Sequence, residues 1–327
     1  MKKKEKNKSF ILNKSKIKKL RILCIGDIML DHYVYGSVYR QSPEAPIPIL
    51  NYENENFQLG GVGNVVRNIS NINAKCTLLS IIGFDKASLK ISELASKEKN
   101  ISLETIKIKN FKTPIKTRFI KNFVHLLRVD QENSNFKLTK NLKLRIKNIF
   151  SKNIKKSDLV IVSDYDKGLL DKSLIKEIVN ISKKHNKLII CDPKKNDFNI
   201  YKNIDILTPN QKEISDSAGY KLLSEKQIIS YARKIMKKYN IKEILVTRSS
   251  KGMLLIGRDY TKKINANAKK VRDVTGAGDT VISVLGLMKA IGMSTADASV
   301  LANFAAGIII GKPGTASLTY KELQKFF

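Results

Sequence analysis

The chain has 327 residues, enough for one large α/β domain or two smaller ones with a substantial buried core. Its formal net charge is +32, carried by 51 lysines and 10 arginines spread along the whole length, and tryptophan is absent. This pattern fits a solvated basic surface and argues against a nucleic-acid module, which clusters arginine with stacking aromatics; the lack of an 18-residue apolar run excludes a membrane-spanning helix.

Residues 1–19 are lysine-rich, and their apolar stretch is confined to residues 10–12, too short for a secretory h-region. They read as a frayed basic tail on a cytoplasmic protein, with the folded domain over residues 20–327. Cys24, Cys76 and Cys191 stand far apart in apolar surroundings without a C-x-x-C pair. Buried free thiols are expected, with neither a zinc site nor disulfides.

Residues 21–26 form a short apolar run ending in glycine, as a buried parallel strand does. It runs into Asp27 and Asp31 without a G-x-G-x-x-G fingerprint. Acids just past a strand's C-terminal end lie where α/β sheets bind ligands, although turns use the same residues. Residues 32–50 alternate aromatic and β-branched side chains, but Pro43, Pro46 and Pro48 confine that part to an edge or loop. Gly60 and Gly61 then permit close approach of a ligand to the backbone. Asn64, which both donates and accepts, opens a helix carrying Val65, Val66, Ile69 and Ile72.

Further along, residues 76–82 read as strand, 86–97 as helix and 112–128 as paired strands bearing Lys116, Arg118 and Arg128. Arg118 suits a bidentate phosphate contact and a surface role equally well. Buried strands follow over residues 158–163, 187–191, 204–208 and 244–247, and the polar residues gather at their C-terminal ends. Their alternation with helices predicts a mostly parallel sheet with right-handed crossovers. Asn210 and Glu213, one helical turn apart, fit a helix cap as well as a ligand site.

The chain is organised around Val271-Arg-Asp-Val-Thr-Gly-Ala-Gly-Asp-Thr280, which leads into an apolar helical run over residues 281–291. Gly276 and Gly278 let the backbone turn so that its amides converge at a helix N-terminus, where the dipole favours a phosphoryl group. Asp279, in the first helical turn, fits either an N-terminal acid or a general base. Residues 294–310 form another apolar helical run containing Asn303. The Gly307 to Lys312 segment has the wrong spacing for a P-loop.

Asp273-Val-Thr-Gly-Ala-Gly-Asp-Thr280 and Gly60-Gly-x-x-Asn64 resemble the two signatures of the ribokinase-like (PfkB-type) carbohydrate kinases. The resemblance covers about residues 20–327. It implies a three-layer α/β/α domain with a mostly parallel central sheet and a small β lid, its strands near residues 32–56 and 112–130. It also implies an enzyme using ATP and Mg2+, with room for a monovalent cation. In that family Asp279 corresponds to the catalytic base and Gly276, Ala277 and Gly278 to the anion hole. Asp31, Gly60, Gly61 and Asn64 correspond to sugar contacts, with Arg118 and Arg128 as candidates for a substrate phosphate. Asn210 and Glu213 match an Asn-x-x-Glu motif that acts on magnesium, largely through water. Lys194, Thr247, Arg248, Gly252 and Asn303 fall on the nucleotide side.

Residues 26–36, 42–48, 163–168 and 246–249 are similar to one subgroup, the D-glycero-β-D-manno-heptose-7-phosphate kinases of ADP-heptose and lipopolysaccharide-core synthesis. Those are often half of a bifunctional protein whose other half carries His-x-x-His. That motif is lacking here, which leads to the expectation of a stand-alone kinase. Gly-Gly-Val-Gly-Asn replaces the more usual Gly-Gly-Ala-Ala-Asn, leaving other sugars of the family, and more distantly a non-catalytic nucleic-acid binder, as alternatives. The expected partners are a sugar phosphate and ATP, with neither nucleic acid nor membrane, and a homodimer formed through the lid.

Overall fold

The computed structural model describes residues 14–133, 136–267 and 271–327. Most of the expected basic tail, residues 1–13, lies outside the described residues. The rest of it is a short helix, α1 (Lys14–Lys19), whose Ile17 is buried in the core.

The first half of the chain contributes β1 (Arg21–Gly26), β2 (Ile28–Ser37), β3 (Asn51–Gly61), α2 (Val62–Asn71), β4 (Lys75–Ile82), α3 (Lys86–Ser96) and β5 (Ile101–Lys107). A hairpin, β6 (Ile115–Lys121) and β7 (Val124–Gln131), precedes α4 (Lys140–Ile154) and β8 (Leu159–Ser163). Then follow α5 (Lys172–Lys184), β9 (Leu188–Asp192), β10 (Ile206–Leu207), α6 (Gln211–Ala218), α7 (Glu225–Tyr239) and β11 (Glu243–Thr247). β12 (Met253–Ile256), β13 (Thr261–Ile264), α8 (Ala277–Ala290), α9 (Thr295–Ile309) and α10 (Tyr320–Gln324) complete the order.

The main sheet has nine strands in the order β13-β12-β11-β10-β9-β8-β1-β4-β5. Every pairing from β5 across to β11 is parallel, and the last two strands at the β13 edge are antiparallel. Alternation along the strands divides the core into two. Ile22 and Cys24 of β1 join α2, α8 and α9 on one face, while Leu23 and Ile25 join α4, α5 and α7 on the other. This is the three-layer architecture expected. Helix starts are locally encoded: Asp85, Thr139, Asp171 and Ser224 each accept a backbone N–H at the N-cap of α3, α4, α5 and α7. All three cysteines are free and buried, and burial raises their thiols, so they are packing residues.

A second, four-stranded sheet, β3-β2-β6-β7, forms the lid. β2 stops at Ser37, and the prolines fall in the segment before β3, where Gln41 and Pro48 make an isolated bridge. The chain passes from the main sheet to the lid at one residue, Asp27. Its carboxylate accepts the amides of Tyr165 (3.0 Å), Lys167 (3.1 Å) and Leu169 (3.1 Å), tying the end of β1 to the loop after β8. Gly61 closes the other side of this joint. With φ of 59°, it lies where a side chain is strained, and a Cβ there would stand 2.4 Å from the Asp27 carbonyl. Among the described residues, no helix is long and apolar enough to cross a membrane.

Replacing Asp27 with alanine leaves three inward amides without their acceptor. The expected loss is about 3–6 kcal/mol in a urea titration, and a smaller one for Asp27→Asn, which keeps one acceptor oxygen.

Candidate active site

The turn that opens α8 is built by Gly276, which has φ of 79° at the N-cap. A Cβ there would lie 2.6 Å from Asn64 Nδ2, so glycine is required both by conformation and by the approach of α2. The Ala277 amide is already engaged by the Val274 carbonyl at 3.3 Å. The amides of Gly278 and Asp279, in the first turn of the helix, have no intrahelical acceptor and present the positive end of the α8 dipole.

Asp279 is buried behind this turn with both carboxylate oxygens held. Asn64 Nδ2 donates to Oδ2 at 2.8 Å, and the Tyr165 hydroxyl donates to Oδ1 at 2.5 Å. Burial pushes Asp279 up to about 6, the two donors pull it down, and Asp31 pushes it further up. Ser283 fixes the helix beneath, its hydroxyl bonding both the Asp279 and the Val65 carbonyls. Asn64 Oδ1 is buried without a hydrogen-bond partner among the described residues, an acceptor available to a ligand hydroxyl.

The lid contributes Asp31 and Arg118, buried together with Arg118 Nη1 2.7 Å from Asp31 Oδ1 and the guanidinium over the Tyr33 ring. Burial raises Asp31, and Arg118 lowers it. A Cβ on Gly60 would stand 2.4 Å from Asp31 Oδ2, so that glycine makes room for the acid. Arg118 is therefore buried against its acid and does not stand open for a phosphate. Its register partner Arg128 is exposed and bonds Asp130 at 2.8 Å, and Lys116 reaches the same acid at 3.6 Å. Asp27, by contrast, orders the loop after β8 through the three amides it accepts.

On the other side of α8, a cavity of about 70 Å3 is lined by Asp192, Thr208, Asn210, Glu213, Thr247 and Gly278. Asn210 is the N-cap of α6 and exchanges backbone bonds with Glu213 in a capping box, while Lys194 Nζ lies 3.3 Å from Glu213 Oε1. The helix-cap reading thus holds, and the same pair lines the cavity beside Gly278. Burial, Glu213 and Asp279 together drive Asp192 well above the usual carboxylate range. A larger cavity of about 530 Å3 lies beside Gln211 and is walled by Arg248, Lys251, Lys263 and Asn265. Arg248 bonds Glu225 at 2.9 Å and the Lys251 carbonyl at 3.1 Å, and its Nε is buried without a partner among the described residues. Gly252 closes the turn under Arg248, accepting its amide at 2.8 Å. Asn303 donates to the Asn265 carbonyl at 2.9 Å and so braces the cavity wall.

These donors suit an anionic nucleotide with a hydrated divalent cation. Among the described residues no group of three or more His, Cys, Asp or Glu is arranged to cage a metal, and magnesium ordinarily keeps several waters. Two residues of the site escaped the sequence reading. Tyr165 was visible only as a polar residue after a strand, although it lies in the Ser163 to Gly168 segment. Asp192 ends β9 beside the singled-out Lys194.

The family model described as pfkB family carbohydrate kinase matches residues 19–322. The bifunctional protein HldE of Paramagnetospirillum magneticum is 38% identical over 312 residues, 94% of this chain and 64% of that protein. HldE of Campylobacter fetus is 37% identical over 307 residues, 93% of this chain and 66% of its own length. The chain thus spans about two thirds of these curated relatives. Among solved structures, phosphofructokinase-2 from Escherichia coli in complex with potassium superposes with a TM-score of 0.79 at 18% identity, covering 94% and 97% of the two chains. Arabidopsis thaliana ribokinase complexed with ribose and ATP gives 0.74 at 20% identity, covering 94% and 98%. Both share the fold.

Because folding raises Asp279 from 3.8 to about 6, its contribution is fully present below pH 3.8 and is lost as pH rises through 6. Asp279→Asn removes that loss. The variant's stability relative to the parent is expected to improve by about 2–3 kcal/mol between pH 4 and pH 7.5, read from paired denaturation curves. A constant difference across that range would contradict the assignment.

Proposed function

The chain belongs to the pfkB family of carbohydrate kinases, and we propose that it transfers a phosphoryl group from ATP to the anomeric C1 hydroxyl of D-glycero-β-D-manno-heptose 7-phosphate, giving the 1,7-bisphosphate. The observation that carries this reading is the buried Asp279 carboxylate, aimed by Asn64 and Tyr165 beside the glycine turn that opens α8. The heptose is chosen because residues 26–36, 42–48 and 163–168 resemble that subgroup, and the likeness to the HldE proteins supports it. The same reading assigns the enzyme to the cytoplasm and to ADP-heptose supply.

ATP with magnesium supplies the transferable phosphoryl group. Asp279 takes the proton of the C1 hydroxyl as that oxygen attacks in line, and a base near 6 is ionised at neutral pH yet basic enough to accept a proton. The Gly276 to Gly278 turn and the α8 dipole stabilise charge on the transferred group. Asp31, steadied by Arg118, and the free Asn64 Oδ1 receive sugar hydroxyls. Lys116 and Arg128, which converge on Asp130, hold the 7-phosphate. Arg248, Thr247 and the Asn265–Asn303 wall receive the nucleotide, with Lys194 reaching toward its phosphates, and Asn210 and Glu213 would hold a hydrated magnesium ion. The lid edge β7, exposed at every position, is the proposed seam of a homodimer.

The deciding experiment offers ATP and magnesium with the heptose 7-phosphate, ribose or fructose 6-phosphate, measuring ADP release and locating the new phosphate by phosphorus NMR. A C1 phosphate on the heptose alone is expected; turnover of another sugar instead would move the substrate while keeping the kinase. Asp279→Asn is expected to lower kcat by at least about 10³-fold in a protein that remains folded. In the parent, kcat/KM is expected to rise with pH and level off above about 6. Replacing both Lys116 and Arg128 with alanine is expected to raise KM for the sugar phosphate about tenfold or more with kcat nearly unchanged, since the contact persists from ground to transition state.

A further inference from the structure

The Asp279 carboxylate is held from two directions, and its donors differ in origin. Asn64 comes from the start of α2, whereas Tyr165 lies in the loop after β8, 114 positions before the acid it contacts. That loop is tied down at several points. The Tyr165 amide is anchored on Asp27 Oδ2 at 3.0 Å, and Lys167 and Leu169 are bound to the same carboxylate. Asp164, one residue earlier, is buried and bonded to the Tyr201 hydroxyl at 2.6 Å and to Lys195 at 3.2 Å. The tyrosine ring is therefore delivered to Asp279 by a backbone fixed on both sides.

We propose that Tyr165 is a positioning residue for the base: its hydroxyl, 2.5 Å from Oδ1, locks the Asp279 carboxylate in the orientation that receives the substrate proton. This rests on the reading of Asp279 as the base. The phenol is suited to the task because burial, Asp279 and Asp192 push it well above the ordinary tyrosine range, so it stays a donor throughout the working pH range. The opposing influences are burial and Asp31 on β2, both of which favour the protonated acid. Asp192 at the end of β9, itself pushed well above the usual carboxylate range by burial, Glu213 and Asp279, is the other acid nearby, and the second donor, Asn64, is neutral. Of the contacts that keep Asp279 ionised, the Tyr165 hydroxyl is the larger.

The test uses the full chain labelled with carboxyl-13C aspartate, the Asp279 signal being identified by its loss in Asp279→Asn. In the parent the titration midpoint is expected near 6. In Tyr165→Phe it is expected to rise by about one pH unit, and the acid limb of kcat/KM for the heptose 7-phosphate to move with it, with the alkaline plateau lowered only a few-fold. Incorporating 3-fluorotyrosine at position 165 keeps the ring and strengthens the donor, so the midpoint is expected to fall. That second variant decides the matter if the phenylalanine does not fold. A midpoint unmoved by either change, or moved in the opposite directions, overturns the inference. If the carboxyl titration shifts as stated while the kinetic limb stays in place, the contact stands and Asp279 is not the base.

Discussion

Asp27 occupies the single position between β1 and β2, where the chain leaves a nine-stranded sheet and enters a four-stranded one. A buried carboxylate is costly unless its lone pairs are met, and here three backbone amides of the loop after β8 meet them. The same bonds set the height of that loop over the sheet, and hence where Tyr165 stands. Ser80 completes the joint from β4, accepting the Ile28 amide and donating to the Gly26 carbonyl. The placement of that loop, and through it the Tyr165 contact to Asp279, thus depends on one satisfied carboxylate.

The electrostatics of the site run against the composition of the protein. A chain with a formal charge of +32 would be expected to hold its acids ionised, yet Asp27, Asp31, Asp192 and Asp279 are all pushed upward. The lysines sit mainly in solvent, where two unit charges 4 Å apart interact by only about 1 kcal/mol and salt screens the rest. Burial acts locally and is not screened. Within the site the charges that matter are the few enclosed with the acids, such as Arg118 against Asp31.

How much of this was legible depended on whether a role was written locally. Gly60, Gly61, Asn64, Gly276 and Asp279 stood out because glycines and polar residues crowd short windows at helix starts, and the structure brings Asn64 and Asp279 into contact. The parallel sheet was legible from apolar runs ending in polar residues, although residues 204–208 keep only Ile206 and Leu207 as strand, with Asp205 instead accepting the Ile189 amide. Arg118 was not legible in the same way. An arginine in a lid strand suits a phosphate until a buried aspartate on the neighbouring strand claims it, and that pairing across 87 positions is set by sheet register. Tyr165 likewise shows no role locally, since its partner is distant in sequence and its own segment reads only as polar residues after a strand.

The span of these contacts bears on how the protein is made. Asn64 and Asp279 are 215 positions apart, and Tyr33 on the lid closes onto Thr315 across 282. A ribosome that has released everything through β13 has released both sheets but none of α8. When that helix arrives it brings the acid together with Val281, Ile282, Val284, Leu285, Leu287 and Met288, all of which fill one of the two cores. Filling that core and placing the Asp279 carboxylate are therefore coupled through one helix. A chain cut after β13 loses the carboxylate arranged at Asn64 and the closure of its core at one stroke.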